Sequence, residues 1–296
     1  MALFCPLYSG SSGNCVYLDS GKTKVLIDLG VSCRAAVTAL SSLDVDPKDL
    51  SAILITHEHS DHIKGLAVFL KKYPVPLFAS REVLDFIREN VKLPEDLPLY
   101  EADPDGFYVD QMQVSPFPTS HDSVGSLGYR FTFLDKHNDE ISVGVATDLG
   151  VYTPQVQQGL CGCQVVMLES NYDEGMIRVS DYPYYLKRRI QSQNGHLSNG
   201  DCATALTGLA SQGTRHFVLG HLSKNNNMEL LAHQAAHQAL SQAGFVEDRD
   251  FTLQVARRSE PSIPILLSDS PDAPAANLLL KPGWTAAAAA APSPAL

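Results

Sequence analysis

Residues 52–62 read Ala-Ile-Leu-Ile-Thr-His57-Glu58-His59-Ser60-Asp61-His62. The apolar half predicts a short buried strand over 52–56. The polar half sets four metal-ligand side chains, His57, His59, Asp61 and His62, into one short turn. A strand end is rigid, so the loop leaving it can aim several side chains at one point. Imidazoles at i and i+2 can share one cation. Asp61 and His62 then turn toward a second, about 3.5–4 Å away in two-metal sites. Histidine with aspartate suits zinc, manganese or iron. The bland alternative, a solvated polar loop, does not account for four ligand types at this spacing.

Two cations need more groups than this turn supplies. Three more ligand types stand just past predicted strands: His121 after VSPFPTS, Asp148 after SVGVAT and His221 after HFVLG. Each alone is weak, since a lone histidine is commonly a packed or surface residue. Their shared placement at strand ends, where loops build sites, singles them out.

The rest of the chain supplies the frame. Strands are predicted over 3–8, 15–18, 24–28, 112–117, 128–134, 141–147, 165–168, 216–219 and 251–255, with SGSSGN (9–14) as a turn. Helices are predicted over 34–42, 63–72, 81–89, 184–193, 199–211 with Asn199 as its cap, and 228–243. From Leu267 the composition shifts to Ala, Pro and Ser. One folded body, 1–266, is therefore expected, followed by a disordered tail, 267–296.

Of 296 residues, 44% are hydrophobic and 19% charged, which fits a globular protein rather than a disordered one. No apolar run reaches the roughly 18 residues of a membrane span. Met1–Gly10 lacks the basic flank and long apolar core of a signal peptide. Six cysteines, Cys161 and Cys163 among them, are too sparse for a disulfide scaffold and read as reduced cytoplasmic thiols. A net charge of −11 argues against holding nucleic acid by a bulk positive field. Bound cations could still supply positive charge where a phosphate must sit.

With these residues in place, the chain resembles the metallo-β-lactamase superfamily, whose HxHxDH signature HEHSDH matches. The resemblance implies an α/β fold, the four-layer αββα sandwich. It also implies a ligand set: His57, His59 and His121 on one metal, and Asp61, His62 and His221 on the other. Asp148 would bridge both, with a hydroxide shared between the ions, and Asp28 would orient the ligand loop from behind. More narrowly, SGSSGNC, THEHSDHIKGL, ESN (169–171), GHLSN (195–199) and HLSKNN (221–226) look like the YycJ/WalJ branch. That implies a phosphodiesterase acting on DNA as a 5′-to-3′ exonuclease, using two divalent ions, with neither membrane nor protein partner indicated. Tyr172 departs from the branch, where a histidine usually follows ESN. The Asp148–His221 interval is too short for an inserted β-CASP domain, and no transfer-RNA-processing arm has a place.

Other features carry two readings. The Ser9–Asn14 loop is either an anion-binding nest or a plain turn; the resemblance favours the site, with Ser11 and Asn14 as substrate contacts. Asn171, Lys224 and Asn226 lie close in sequence to matched motifs and are expected to touch substrate. His196, in a Gly-flanked loop, is expected to serve the leaving oxygen, and Asp61 to hold the attacking hydroxide as well as a metal. Lys187-Arg188-Arg189 reads as an exposed helix face rather than a nucleic-acid track, and Tyr182, Tyr184 and Tyr185 as core or rim packing. His233 and His237 read as surface histidines. A thioesterase or lactonase on the same dinuclear site is the rival activity. A non-catalytic scaffold is disfavoured because every expected ligand is present.

Overall fold

The computed structural model describes residues 2–267, so the expected tail lies outside the described residues apart from Leu267. The first sheet opens as an antiparallel meander of β1 (Ala2–Tyr8), β2 (Cys15–Asp19) and β3 (Lys24–Ile27). Helix α1 (Cys33–Ser41) leads to β4 (Ala52–Leu54), parallel to β3. Helices α2 (Ser60–Ile63) and α3 (Leu66–Lys72) lead to β5 (Leu77–Ala79), and α4 (Arg81–Asn90) to β6 (Leu99–Glu101), both strands again parallel.

The second sheet repeats that plan. Strands β7 (Phe107–Val109), β8 (Met112–Pro118), β9 (Leu127–Leu134) and β10 (Glu140–Ala146) form an antiparallel meander. Helix α5 (Pro154–Leu160) crosses to β11 (Val165–Glu169). Helices α6 (Glu174–Val179), α7 (Tyr184–Ile190) and α8 (Asn199–Ser211) precede β12 (His216–Gly220), and α9 (Glu229–Gln242) precedes β13 (Thr252–Val255). Strands β11 to β13 continue from β10 in parallel. Strand β14 (Ile265–Leu267) returns to the first sheet and pairs Leu267 with Ala2. The orders are β14-β1-β2-β3-β4-β5-β6 and β13-β12-β11-β10-β9-β8-β7.

Alternation along the strands explains the layers. Phe4, Val16, Leu18, Val25 and Ile27 of the first sheet pack with Val114, Tyr129, Phe131, Val143 and Val165 of the second. The odd-numbered neighbours Leu3, Cys5, Leu7 and Tyr17 face the other way, against residues of α1, α3 and α4. Phe217, Leu219 and Val166 likewise meet residues of α5, α8 and α9. Helix, sheet, sheet and helix follow in order, the αββα sandwich the resemblance implies.

Local expectations fail in instructive places. The helix predicted over 63–72 is broken at Gly65, where an added Cβ would lie 2.1 Å from the Val31 carbonyl oxygen. The cap of α8 is Ser198, not Asn199: Ser198 Oγ accepts from the Asp201 N–H at 3.0 Å. Asn199 is buried and instead bonds Ser170 and Asn227. Helix α7 stops at Ile190, whose carbonyl accepts the His196 N–H at 2.8 Å. Among the described residues no helix is long and apolar enough to cross a membrane.

Candidate metal centre

The ligand-bearing loops meet at one end of both sheets. Asp28 follows β3, the 57–62 turn follows β4, Asp148 follows β10 and His221 follows β12. Asp28, Asp148 and His221 all take left-handed backbones, with φ of 62°, 57° and 54°. That conformation costs a non-glycine residue about 1–2 kcal/mol. It persists only where surroundings over-determine it, as functional sites do.

His57 Nε2 lies 3.1 Å from His59 Nδ1, and His121 Nε2 lies 3.3 Å from that same nitrogen. His59 stands at the N-cap of α2 yet makes no capping bond, so its ring is free for this group. Asp61 Oδ2 lies 3.6 Å from His62 Nε2 and 3.5 Å from His221 Nε2. Asp148 sits between the groups: 3.2 Å from His62 Nε2, 3.3 Å from His221 Nδ1 and 3.8 Å from His121 Nε2. Two buried atoms of this cluster, Asp148 Oδ2 and His221 Nε2, have no hydrogen-bond partner. A buried polar atom left unpaired costs about 1–3 kcal/mol. A cation among them would satisfy both, and imidazole with carboxylate is a donor set divalent transition metals accept. The cluster is therefore able to bind metal ions.

The surrounding residues orient the rings. Asp28 accepts from the Thr56 N–H at 2.8 Å and from the Thr56 hydroxyl at 2.9 Å. Thr56 Oγ1 in turn lies 3.0 Å from His57 Nδ1, which leaves His57 Nε2 for the cluster. Asp28 Oδ2 is also 2.7 Å from His62 Nδ1. The Gly195 carbonyl holds His121 Nδ1 at 3.0 Å. Glu169 was not assigned a role from the sequence, yet it is fully buried and central. Its Oε1 lies 2.7 Å from His196 Nδ1 and 2.9 Å from His221 Nδ1, and its Oε2 accepts from the Leu149 N–H at 2.8 Å. A carboxylate closing the apolar strand VVMLE was the available signal, the same one that marks Asp28.

Charge follows burial and partners. Burial, then the neighbouring His62, pushes His57 well below the usual imidazole range. Burial also lowers His121. Burial opposes the protonated form of His62, but the Asp28 and Asp148 carboxylates outweigh it and raise its pKa well above normal. For His196, burial is likewise outweighed, here by Glu169.

The expected substrate contacts divide. Asn14 is buried; its Nδ2 lies 3.3 Å from Asp61 Oδ2 and 3.0 Å from His62 Nε2. Asn171 is buried and donates to the His221 carbonyl at 2.8 Å. Asn226 is wholly buried against Ser223. These three brace ligand loops instead of facing solvent. Ser11 and Lys224 are exposed. The Ser9–Asn14 loop is a poor nest: the N–H groups of Ser9, Gly10, Gly13 and Asn14 already bond within the protein. His233 and His237 lie on α9 beside Glu247, as surface histidines.

Gly30 shows how tightly the loops close. A Cβ there would sit 1.5 Å from the Asp61 carbonyl oxygen, which also accepts the Asn14 N–H at 2.8 Å. Gly30→Ala must displace the Asp61 turn. It is expected to lower the melting temperature and to halve the bound metal, read by elemental analysis; two retained equivalents would contradict this packing argument.

Residues 8–137 match the family model of the metallo-beta-lactamase superfamily. Exodeoxyribonuclease YycJ of Bacillus anthracis is 35% identical over 243 residues, covering 82% of this chain and 90% of its own length. Exodeoxyribonuclease WalJ of Streptococcus pneumoniae is 36% identical over 254 residues, covering 83% and 90%. The crystal structure of the metallo-beta-lactamase fold protein YhfI from Bacillus subtilis superposes with a TM-score of 0.66 at 14% identity, covering 88% of this chain and 99% of that one. PqqB from Methylobacterium extorquens gives 0.64 at 14%, with the same coverage. With the likeness extending over most of both chains, this protein belongs to the metallo-β-lactamase superfamily, alongside the YycJ and WalJ proteins.

Proposed function

We propose that this chain is a metal-dependent phosphodiesterase, a 5′-to-3′ exonuclease acting on DNA in the cytoplasm. The observation that carries the reading is the meeting of His57, His59, Asp61, His62, His121, Asp148 and His221 at one end of two sheets. Its relatives' names supply the substrate class. Two divalent ions, zinc or manganese with iron as a third candidate, would be held by His57, His59 and His121 and by Asp61, His62 and His221, with Asp148 between. When bound, such ions lower the pKa of water and neutralise phosphate oxygens.

The chain's own groups do the rest. Asn14 and the packed Gly30 hold Asp61 in place, where its carboxylate can orient the attacking water. Glu169 engages His196 Nδ1, leaving Nε2 as the ring's other proton site. That nitrogen would protonate the departing oxygen, with Glu169 stabilising the charged ring. The partly exposed edge of His196, 18% against 2% for His221, suits a group that meets substrate rather than one sealed behind it.

Metal-loaded protein incubated with end-labelled single- and double-stranded DNA and RNA, beside a thioester and a lactone, tests the reading. Stepwise shortening of DNA from the 5′ end is expected. Turnover of the thioester or lactone with intact DNA would replace it with the rival hydrolase.

A further inference from the structure

Helices α6 and α7 share a small apolar cluster of their own, Tyr172, Ile177 and Ile190, with Tyr182 and Leu186 against it. The tyrosines do not all behave as packing residues. Tyr182 is partly buried and its hydroxyl accepts from Asn225 at 2.8 Å, but Tyr184 and Tyr185 are 76% and 74% exposed. The Arg188 guanidinium stands 6.0 Å from the centre of the Tyr184 ring. Arg189 Nε donates to Asp122 Oδ2 at 2.5 Å, and Asp122 Oδ1 lies 3.4 Å from His121 Nε2. One ion pair therefore joins the end of α7 to a ligand of the candidate centre.

We propose that α7 guides a single-stranded nucleic acid into the metal centre. Tyr184 and Tyr185 would stack unpaired bases while Arg188 faces the backbone phosphates and Arg189, paired with Asp122, fixes the helix against the centre. The inference rests on the nucleic-acid reading above. The chain carries −11 overall, so a polyanion needs a local positive track, and Lys187-Arg188-Arg189 is the sequence's one run of three basic residues. Exposed aromatic rings beside guanidiniums are the sequence-tolerant chemistry of single-strand binding. Tyr184 and Arg188 share one face of the helix and are separated by about 6 Å along it, close to the length of two stacked bases. Bases inside a duplex have their faces covered, so the occupant is an unpaired end.

Fluorescein-labelled oligothymidylate titrated with the full chain at low salt, followed by anisotropy, tests this. Tyr184→Ala with Tyr185→Ala should raise Kd by about tenfold or more, while the double phenylalanine variant, which keeps both rings, stays within about twofold. Arg188→Gln should reduce the slope of log Kd against log salt by about 0.7. An unchanged Kd in the alanine variant overturns the proposal, as does a wild-type chain that does not bind the strand. Unchanged binding with loss of self-association in sedimentation assigns the patch to a second copy of the chain and overturns it as well. Binding is read apart from cleavage: strand binding through these tyrosines without hydrolysis keeps the guide and removes the nuclease reading.

Discussion

Asp148→Ala is expected to reduce phosphodiester hydrolysis by about 10³-fold or more. Asp148 belongs to two of the ligand groups, one with His57 and His62 and one with Glu169, His196 and His221. No neighbour can take its place, because its oxygens lie within 3.8 Å of His62, His121, His196 and His221 at once. Burial opposes its ionisation, yet the surrounding histidines, His221 first and His62 next, hold its pKa well below the usual carboxylate range. It is thus a fixed negative charge among imidazoles. Its left-handed φ of 57° complicates the alanine variant, which would lose backbone compatibility as well as a ligand. Asp148→Asn keeps the shape and tolerates that backbone but lacks the charge. Both variants should lose activity and the charge that pairs with His62 and His221, and the alanine, which also loses the backbone fit, should lower the melting temperature of the metal-free protein further. Full hydrolysis by either variant after chelation would end the two-metal scheme.

The members of the cluster stand out in the sequence through a local rule: His57, Asp148 and His221 each follow a run of apolar strand residues. Glu169 obeys the same rule but ends a strand whose next residues draw attention to Asn171, so its bridging of His196 and His221 emerges only in three dimensions. The burial of the asparagines is hidden in the sequence for a related reason. Asn14 and Asn171 stand beside ligand motifs in sequence, and nothing in composition distinguishes an amide that touches substrate from one that braces a loop. The break at Gly65 depends on close contact with the distant Val31 carbonyl, which periodicity does not encode, whereas the cap at Ser198 is a local bond to the Asp201 N–H and differs from the expected Asn199 by one residue. Strands as short as β5 and β14 present too few residues for alternation to register. Exposure of Tyr184 and Tyr185 is likewise a tertiary outcome, since the apolar cluster beneath α7 takes Leu186 and Ile190 instead.

Removing the ions is expected to lower the melting temperature by about 10 °C or more. Each ion at a hundredfold excess over its Kd adds about 2.7 kcal/mol, and a body of this size responds by about 2–4 °C per kcal/mol. The metal-free centre is not left as bare carboxylates, because protons stand in for cations. Burial disfavours a charged His221, but Asp148, Asp61 and Glu169 outweigh it and raise its pKa to about 10. His62 is raised in the same way by Asp28 and Asp148. Folded-state values above the ordinary 6.5 stabilise the metal-free protein fully below that pH, and the contribution is lost as pH rises through about 10 for His221. Cation binding has the opposite sign, since a ligating imidazole nitrogen must give up its proton. Uptake at pH 7 should therefore release about two protons, one each from His62 and His221. His57, held neutral by burial, should release none. Titration calorimetry in buffers of different ionisation heat counts these protons, and affinity should strengthen with pH. A melting temperature indifferent to chelation, with no proton released, would mean that the buried Asp148 and His221 atoms are satisfied by something other than a cation.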